Sequence, residues 1–375
     1  MTRSVTKLKD IAVELGLHPS SVSRAIGGQA GVSKAKRQLV LETAHRLHYR
    51  PNALARGLRS GHQRVVGLVF PDVLNELYSS AATVLASSLA GRGYLIHLSI
   101  TYDHEDAERK ALLSLVEHQV SGIIIAPCGP RDRVLSRALK TIPVVEFMRD
   151  TTARTDKVLW DDEHAAYAAT KHLLDQGHRN IRFITGVPQV TTTIARVAGF
   201  KRALQEGGLG DGKDWVRFGR TGPDWHQATH QLAVEAPRST AVIASNHIIA
   251  LSTLEALNSV GLAVPQDVSV IGLDDPSWFW AARGGITAVH MPWELMAEAA
   301  GEFLLRRMDG SSKSRRGWKA TTLRFPSELI VRGSTAPPRS LTVARVIPGQ
   351  IASRRAKRSV PYAGGLSGRA PKVVP

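Results

Sequence analysis

Apolar residues recur every three or four positions near the start of the chain. The first stripe consists of Leu8, Ile11, Ala12 and Leu15, and the second of Val22, Ala25 and Ile26. Each stripe has the spacing of an amphipathic helix that buries one face. Between the stripes, Gly16 allows a sharp turn, and Pro19 suits the first position of a helix, where its missing N–H costs little. The pattern predicts a helix-turn-helix, a motif whose second helix enters the major groove of DNA.

From Val65 onward, short apolar runs alternate with amphipathic stretches. The runs that predict strands are Val65–Phe70, Tyr94–Ile100, Gly122–Ala126, Val144–Phe147, Val158–Trp160, Ile181–Thr185, Val216–Phe218, Ala241–Ala244 and Val268–Gly272. The stretches that predict helices include Ala107–His118, Glu163–Gln176, Arg196–Glu206 and Ile248–Val260. This βαβα order indicates an α/β fold of mainly parallel sheets with helices on both faces. About ten strands indicate two such sheets, with ligands bound near the carboxyl ends of the strands.

Charge is concentrated at the two ends of the chain. The formal net charge is +17, from 49 Lys and Arg against 32 Asp and Glu. Residues 1–62 hold 11 basic and 3 acidic side chains, and residues 336–375 hold 8 basic and no acidic ones. The part between them is therefore nearly neutral. A basic end that contains a helix-turn-helix favours DNA as a partner, whereas a generally basic composition would spread the excess evenly.

Three absences narrow the class of protein. The single cysteine, Cys128, excludes an intramolecular disulfide and argues against a cysteine-based metal cluster. The start MTRSVTKLKD lacks the apolar segment of a secretory signal, and no apolar run reaches the ~18 residues needed to span a bilayer. We therefore expect a soluble, cytoplasmic protein without a membrane contact, a metal or a cofactor.

Several segments, in this order, resemble the lactose-repressor (LacI) family of bacterial transcription regulators over about residues 5–335. They are LKDIAVELGL with SSVSRAI, YRPNALARGLRSG, VVGLVFPD, VSGIIIAP, HLLDQGHRNIRFITG, RVAGFKRAL, VPQDVSVIGLDD and FPSELIVRGST. The resemblance implies a helix-turn-helix head in residues 1–50 and a hinge helix with a linker in residues 51–62. Residues 63–335 are then an effector-binding body similar to periplasmic sugar-binding proteins.

The body implied by this resemblance has two lobes with one parallel sheet each. Its N-lobe comprises about residues 63–161 and 291–322, and its C-lobe about residues 162–290 and 323–335. Crossovers between the lobes are expected near Trp160–Asp162, Val289–Met291 and Thr322–Phe325. Residues 336–375 lie outside the resemblance, and their prolines and lack of acidic residues predict a basic, disordered tail. The tail either adds nonspecific affinity for DNA or is dispensable.

The recognition helix carries the residues expected to read DNA. By resemblance, its first two residues set operator preference, and here they are Pro19 and Ser20. Proline offers no side-chain hydrogen bond, so discrimination falls more on Ser20, Ser23 and Arg24. Arg24 suits guanine, which arginine binds through two hydrogen bonds, and a phosphate contact is the alternative.

The third helix of the head is predicted to begin after Ser33, whose hydroxyl caps it. Ser33 is also expected to contact DNA, and Lys34 and Arg37 are expected to contact phosphates, unless these two only form a solvated face. The side chains predicted to close the core of the head are Leu39, Val40, Ala44 and Leu47. His18 stands where the family often has a capping serine, which puts the cap of the second helix in doubt.

The segment Asn52–Leu58 resembles the hinge helix of the family. So short a helix is marginal by itself, and the resemblance implies that it forms when two copies pair in the minor groove of DNA. The residues of this segment expected to contact DNA are Asn52, Ala55 and Leu58. Leu58 is then an apolar wedge between base steps, with Ala55 packed beside it.

A homodimer with two heads would read a pseudo-palindromic operator on double-stranded DNA. The helices Ser79–Ala90 and Trp293–Met308 resemble the dimer-forming elements of the family. The tail lacks a leucine heptad, so nothing indicates a tetramer held by a C-terminal coiled coil.

The resemblance also places a small-molecule effector between the lobes. Three positions match polar residues that contact ligands in the family, namely Arg196, Asn246 and Asp274. The guanidinium of Arg196 suits a carboxylate, a phosphate or paired hydroxyls. Asn246 and Asp274 suit sugar hydroxyls, although polar residues after strands can instead cap the next helix.

Two departures from the family concern the charge of this site. Met148 and His247 stand where many sugar-responsive members have aspartate. With two carboxylates fewer next to Arg149, Arg196 and His247, we expect an anionic effector such as a sugar acid, with a sugar as the alternative. The PVVEFM stretch and Pro19 also resemble gluconate-type regulators of the family.

Two other classes of protein are compared with this reading. An enzyme is disfavoured because the chain lacks GxGxxG after a strand, GxxxxGK[ST] and GxSxG. A periplasmic-type ligand-binding protein would have the same body but a signal peptide and no helix-turn-helix. Turnover of a ligand would identify the first, and localisation the second.

Overall fold

The computed structural model describes residues 6–27, 30–49, 63–129, 142–219, 231, 239–309 and 319–339. Its α-helices in these ranges are α1 (Leu8–Glu14), α2 (Pro19–Ile26), α3 (Lys34–Arg46), α4 (Glu76–Ala90), α5 (Glu105–Glu117), α6 (Asp162–Asp175), α7 (Thr191–Glu206), α8 (His247–Ser259) and α9 (Trp293–Asp309). Its strands are β1 (Gln63–Phe70), β2 (Leu95–Ile100), β3 (Val120–Ile125), β4 (Val144–Phe147), β5 (Asp156–Trp160), β6 (Ile181–Thr185), β7 (Val216–Phe218), β8 (Ala241–Ala244), β9 (Ser269–Gly272), β10 (Thr287–His290), β11 (Thr322–Phe325) and β12 (Glu328–Ile330). The predicted α/β class is confirmed.

The helix starts in the head follow from single side chains. Pro19 is the first residue of α2, as its missing N–H requires. His18 supplies the cap that the sequence put in doubt, because its Nδ1 accepts a hydrogen bond from the Ser20 N–H at 3.3 Å. Ser33 caps α3 by accepting a hydrogen bond from the Lys36 N–H, also at 3.3 Å. These contacts set the turn between the helices.

The three helices of the head enclose a small apolar core. Its buried members are Ile11, Ala12, Val22, Ala25, Val40 and Ala44. The expectation that Leu39 belongs to this core is wrong, since Leu39 is 49% exposed. Val40 and Ala44 lie one turn apart and define the buried face of α3, from which Leu39 is rotated by about 100°.

Two six-stranded sheets form the body. The first has the strand order β11-β5-β4-β3-β1-β2, and all its neighbours are parallel. The second has the order β12-β10-β9-β8-β6-β7, and only β12 is antiparallel to its neighbour β10. The order reverses between β1 and β3 in one sheet and between β6 and β8 in the other. Such reversal points open a crevice at the carboxyl ends of the strands.

The chain passes between the two sheets three times. The first passage follows Trp160 at the end of β5, and the second follows His290 at the end of β10. The third connects β11 to β12. The expected crossovers lie close to these passages, but Thr322–Phe325 and most of Val289–Met291 are themselves strands. These strands escaped prediction because they are short, and β11 is mostly exposed and so has no apolar run.

The strands in the middle of both sheets are buried on both faces. Every residue of β4, β8 and β9 is buried, which is typical of parallel strands covered by helices on both sides. Among the described residues, no helix combines the length and the apolar character needed to cross a membrane. The same ranges contain no group of three or more acidic, histidine or cysteine side chains placed to hold a metal ion.

Helices α6 and α7 approach each other closely because Gly199 has no side chain. A Cβ added to Gly199 would lie 1.9 Å from the carbonyl oxygen of Glu163 on α6. Only glycine permits such an approach of two backbones. The contact also sets the position of Arg196, which lies almost one turn before Gly199 on α7.

Replacement of Gly199 by alanine should lower the free energy of unfolding by about 3 kcal/mol, at the upper end of the cost of overpacking. Urea denaturation followed by circular dichroism measures this loss. Gly91→Ala is the matched control, because the nearest atom to a Cβ at Gly91 lies 3.6 Å away. We expect it to change stability by no more than about 0.5 kcal/mol. Equal losses in both variants would contradict the role of the helix contact.

Candidate functional site

A cleft lies between the carboxyl ends of the two parallel sheets. From the first sheet it is lined by Asp72 after β1, Asp103 after β2 and Arg149 after β4. From the second sheet it is lined by Asn246 after β8 and Asp274 after β9. Both lobes therefore contribute polar side chains to one site, at the edge where parallel sheets bind ligands.

Arg149 and Asp103 form a buried ion pair on the N-lobe side of the cleft. Nη1 of Arg149 donates to Oδ1 of Asp103, and Nη2 donates to Oδ2 at 3.4 Å. Their side chains are only 11% and 8% exposed. Asp103 and Met148 have left-handed φ angles of 57° and 66°, which are uncommon for residues other than glycine. These backbone bends occur where the chain leaves β2 and β4 at the rim of the cleft.

Arg196 holds the C-lobe side of the cleft. Its Nε donates to Oδ1 of Asp162 at 2.7 Å, and its Nη1 donates to the carbonyl oxygen of Ser245, also at 2.7 Å. Its guanidinium carbon lies 5.8 Å from the ring centre of Trp160. Burial raises the pKa of Asp162, and the charge of Arg196 opposes this rise. The pair connects α7 to the first crossover, where β5 ends and α6 begins.

Asn246 and Asp274 both line the cleft, and both accept hydrogen bonds at the start of α8. Oδ1 of Asn246 accepts a hydrogen bond from the Ile249 N–H at 2.9 Å, so the residue caps α8 while it lines the cleft. Oδ2 of Asp274 accepts hydrogen bonds from the backbone N–H and from Nδ1 of His247, at 2.9 and 2.7 Å. Oδ1 of Asp274 is buried and has no partner among the described residues. A buried acceptor left unpaired is costly, so this oxygen is a candidate acceptor for a ligand donor.

His247 was predicted to contact the effector, but it is not among the described residues that line the cleft. Its ring lies behind Asp274, and its Nε2 accepts a hydrogen bond from the backbone N–H of Glu76 at 3.3 Å. Burial disfavours the imidazolium, but the hydrogen bond and charge of Asp274, with Glu76 and Asp72, outweigh burial and raise the pKa of His247 above its ordinary value.

The sequence reasoning missed several residues that line the cleft, among them Asp72, Tyr78, Asp103 and Thr193. Asp72 and Asp103 follow β1 and β2 closely, so the strand-end signal that singled out Asp274 could have found them. Burial raises the pKa of Tyr78, which keeps its phenol neutral. A tyrosine in α4 or a threonine in the first turn of α7 carries no comparable signal, because such residues are common in helices.

Carboxylates line the cleft even though Met148 and His247 bring none to it. The charged side chains that line it are Asp72, Asp103, Asp274, Arg149 and Arg196. Both guanidinium groups are already paired with carboxylates. The expectation of an anionic effector considered only Met148 and His247 and did not count carboxylates at other strand ends. An anionic effector is therefore less favoured than the sequence suggested.

The head exposes most of the side chains that were predicted to contact DNA. Those that are exposed are Ser20, Arg24, Ser33, Lys34 and Arg37, whereas Pro19 and Ser23 are half-buried. Nε of Arg24 donates to the carbonyl oxygen of Ser20 at 3.4 Å, so the side chain lies along the first turn of α2. The hinge residues Asn52, Ala55 and Leu58 lie outside the described residues.

The two helices predicted to form a dimer pack against each other within the chain. A Cβ added to Gly301 on α9 would lie 3.2 Å from the side chain of Leu85 on α4. Met296, Ala300 and Leu304 of α9 are fully buried. One face of each helix is thus used inside the N-lobe, and only their other faces are open to a second copy.

This fold and this cleft define a two-lobed body of the periplasmic-binding type that follows a helix-turn-helix head. Residues 170–335 match the family model described as a periplasmic binding protein-like domain. Catabolite control protein A of Priestia megaterium is 32% identical over 330 residues, which cover 87% of this chain and 98% of that protein. The HTH-type transcriptional repressor PurR of Aliivibrio fischeri (strain MJ11) is 28% identical over 337 residues, which cover 87% of this chain and 97% of the relative.

A solved structure has the same architecture. The crystal structure of the Lac repressor dimer bound to operator and the anti-inducer ONPF has a TM-score of 0.75 to this chain at 22% identity. The match covers 89% of this chain and 100% of the repressor chain. The chain belongs to the LacI family of transcriptional regulators. This family consists of regulators and not of enzymes, so the enzyme alternative is not supported.

Replacement of Arg196 by methionine should destabilise the body, because it leaves the carboxylate of Asp162 buried without its partner. We expect a loss of about 3 kcal/mol in the free energy of unfolding at pH 7. The loss should be smaller at pH 5. An aspartate whose pKa is raised by folding binds its proton more tightly in the folded state, so its penalty grows as the pH rises.

Urea denaturation at pH 5 and pH 7 tests this prediction. The double variant Arg196→Met/Asp162→Asn should lose most of the pH dependence, because the buried charge is gone. Arg202→Met is the matched control on the same helix, since Arg202 pairs with Glu163 at the surface and is 46% exposed. A loss in Arg196→Met that is equal at both pH values would show that the buried charge is not its cause.

Proposed function

We propose that this chain is a homodimeric, sequence-specific DNA-binding repressor whose affinity for its operator is set by a sugar-class effector held between the lobes. The cleft carries the proposal, because Asp274, which has one unpartnered side-chain oxygen, lines it together with two paired guanidinium groups. Membership of the LacI family supports the DNA-binding part. Its site of action is then the cytoplasm, where it meets the operator.

In this proposal α2 reads base edges in the major groove. Ser20 and Arg24 are exposed in its first two turns and are the candidates for base contacts. Lys34 and Arg37 are exposed at the start of α3 and are the candidates for phosphate contacts, which position the head without reading sequence. The hinge segment Asn52–Leu58 of each copy would enter the minor groove between the two heads.

The dimer is supported by the edge of the first sheet. Strand β2 is the edge strand there, and it exposes Leu95 and Leu98 by 70% and 41%. Exposed leucines on an unpaired edge strand are a liability unless another surface covers them. A second copy would cover them together with the outer face of α4.

Replacement of Arg24 by alanine should relax specificity at one base position and weaken operator binding by about 1–3 kcal/mol. Fluorescence anisotropy with the operator and its single-base variants measures both effects. Arg37→Ala is the matched control, because a lost phosphate contact weakens binding to all sequences alike and reduces the salt dependence. Uniform weakening in Arg24→Ala would instead make Arg24 a phosphate contact.

The paired charges in the cleft suit a ligand rich in hydroxyl groups. A hydroxyl can donate to a carboxylate and accept from a guanidinium at the same time. A neutral sugar could therefore use the pair of Arg149 and Asp103 without breaking it. It could also donate to the free oxygen of Asp274. A sugar acid would bring its charge close to Asp72, Asp103 and Asp274, and it is the alternative.

The effector acts on DNA binding through the arrangement of the lobes. A ligand shifts an equilibrium only by its difference in affinity for the two arrangements. The cleft meets this condition because its polar side chains come from both sheets. A change in the lobe arrangement would alter the spacing of the two hinge segments in the dimer and thus the fit to the operator.

A thermal-shift screen of neutral sugars, sugar acids, sugar phosphates and purines tests the effector class. We expect a neutral sugar to stabilise the protein most, by about 2.7 kcal/mol at 100 times its dissociation constant. A sugar acid as the strongest ligand would contradict the neutral class. If no sugar or sugar acid shifted the melting temperature, the sugar-class effector itself would be refuted.

The strongest ligand of the screen can then be used to test the role of Arg196. Arg196→Lys keeps the positive charge but loses the planar guanidinium, which can form two parallel hydrogen bonds. We therefore expect the affinity for the ligand to fall about 10- to 100-fold. Isothermal titration calorimetry measures this change. Arg202→Lys, on the outer face of the same helix, should bind the ligand like the wild type. An unchanged affinity in Arg196→Lys would remove Arg196 from the site.

A further inference from the structure

One side chain connects the two lobes directly next to the cleft. His247 is the first residue of α8 in the C-lobe, and Glu76 is the first residue of α4 in the N-lobe. Nε2 of His247 accepts a hydrogen bond from the backbone N–H of Glu76 at 3.3 Å. His247 is 7% exposed, so this contact is shielded from water.

The N–H of Glu76 needs an acceptor from outside its helix. The first N–H groups of a helix have no partner within it. Two of those in α4 are satisfied by Asn75, whose side chain accepts from the Leu77 N–H at 3.1 Å and whose carbonyl oxygen accepts from the Tyr78 N–H at 3.0 Å. Neither contact involves the N–H of Glu76, and His247 supplies its acceptor.

Asp274 determines which nitrogen of His247 carries the proton. Nδ1 of His247 lies 2.7 Å from Oδ2 of Asp274. An ionised carboxylate only accepts hydrogen bonds, so Nδ1 is the protonated nitrogen and Nε2 keeps its lone pair. The backbone N–H of His247 donates to the same oxygen at 2.9 Å, which holds the carboxylate and the ring in one orientation.

We propose that His247 is a latch between the lobes and not an effector ligand. Its neutral ring, oriented by Asp274, holds the start of α4 against the start of α8. The latch follows from this geometry alone. The latch would also shift the equilibrium between the two lobe arrangements and so change the affinity for the operator. This consequence rests on the proposed function.

The latch is sensitive to protonation. The charged groups that face the ring are Asp274 after β9, Asp72 after β1 and Glu76 on α4, and together they raise the pKa of His247 against the effect of burial. A protonated ring has no lone pair on Nε2. It would place an N–H against the N–H of Glu76 and a positive charge at the positive end of the α4 dipole. Protonation therefore removes the acceptor of the Glu76 N–H, although the charged ring is attracted to Asp72 and Glu76.

Two substitutions of His247 distinguish the roles of its two ring nitrogens. In His247→Asn, the side-chain amide can occupy the place of Nδ1 and still donate to Asp274, but it cannot reach Glu76. In His247→Gln, the longer side chain brings an amide oxygen close to the place of Nε2 and can accept from Glu76. The first variant removes the latch, and the second keeps it.

Hydrogen–deuterium exchange at the Glu76 amide tests the latch in the full chain without ligand. Exchange should be about two- to tenfold faster in His247→Asn than in the wild type, as expected for the loss of one hydrogen bond. His247→Gln should exchange like the wild type. Relative to His247→Gln, protection in the wild type should decrease as the pH is lowered, because only the imidazole loses its acceptor.

Two results would overturn the latch. Equal exchange in all three proteins would show that the Glu76 amide is not held by His247. Equally fast exchange in both variants would show that the packing of the ring, and not its acceptor, protects the amide. Operator binding by the same proteins tests the proposed function separately. A wild type without specific DNA binding refutes that function, whereas normal operator binding with equal exchange refutes only the latch.

Discussion

Charged side chains buried between the two sheets need partners, and this need governs the structure around the cleft. A charge buried without compensation costs several kcal/mol, about 3–5 when one partner of a pair is removed. Here Arg149 is paired with Asp103, and Arg196 with Asp162. Each pair joins segments that are far apart in the chain. The pairs thus fix the strand ends and helix starts that surround the site.

The sheets make these pairs possible because their carboxyl ends face each other. Residues that follow parallel strands collect at one edge of a sheet, and the three passages of the chain bring two such edges together. Close packing of α6 on α7 at Gly199 then places Arg196 within 2.7 Å of Asp162. The apolar packing therefore positions the polar contacts of the cleft.

Pairing in the cleft is incomplete at Asp274, and the proposed response to a ligand rests on this residue. Oδ1 of Asp274 is buried without a partner among the described residues, while Oδ2 is engaged by His247. One carboxylate thus has an unpartnered oxygen at the cleft and supports an interlobe contact with its other oxygen. A ligand that binds the free oxygen acts next to the contact between the lobes. In the proposed function, binding and lobe arrangement would be coupled at this single side chain.

Much of the fold could be predicted from the sequence, because local patterns carry it. The stripes of the head, Pro19 at the start of α2 and the apolar runs of β4 and β8 are visible in short windows. The exceptions have physical reasons. Strand β11 is mostly exposed and shows no apolar run, and the cap from His18 uses a residue type that seldom serves as one.

The sequence by itself determined the α/β class, the helix-turn-helix and four cleft residues, namely Arg149, Arg196, Asn246 and Asp274, because short spacings and family motifs report them. Only the tertiary structure decided which polar groups meet. Asp103 and Arg149 are 46 positions apart, and His247 and Glu76 are 171 apart. Such contacts depend on which strands are neighbours and how the lobes face each other. No local pattern encodes that, so the pairing of charges and the interlobe role of His247 emerged only from the folded chain.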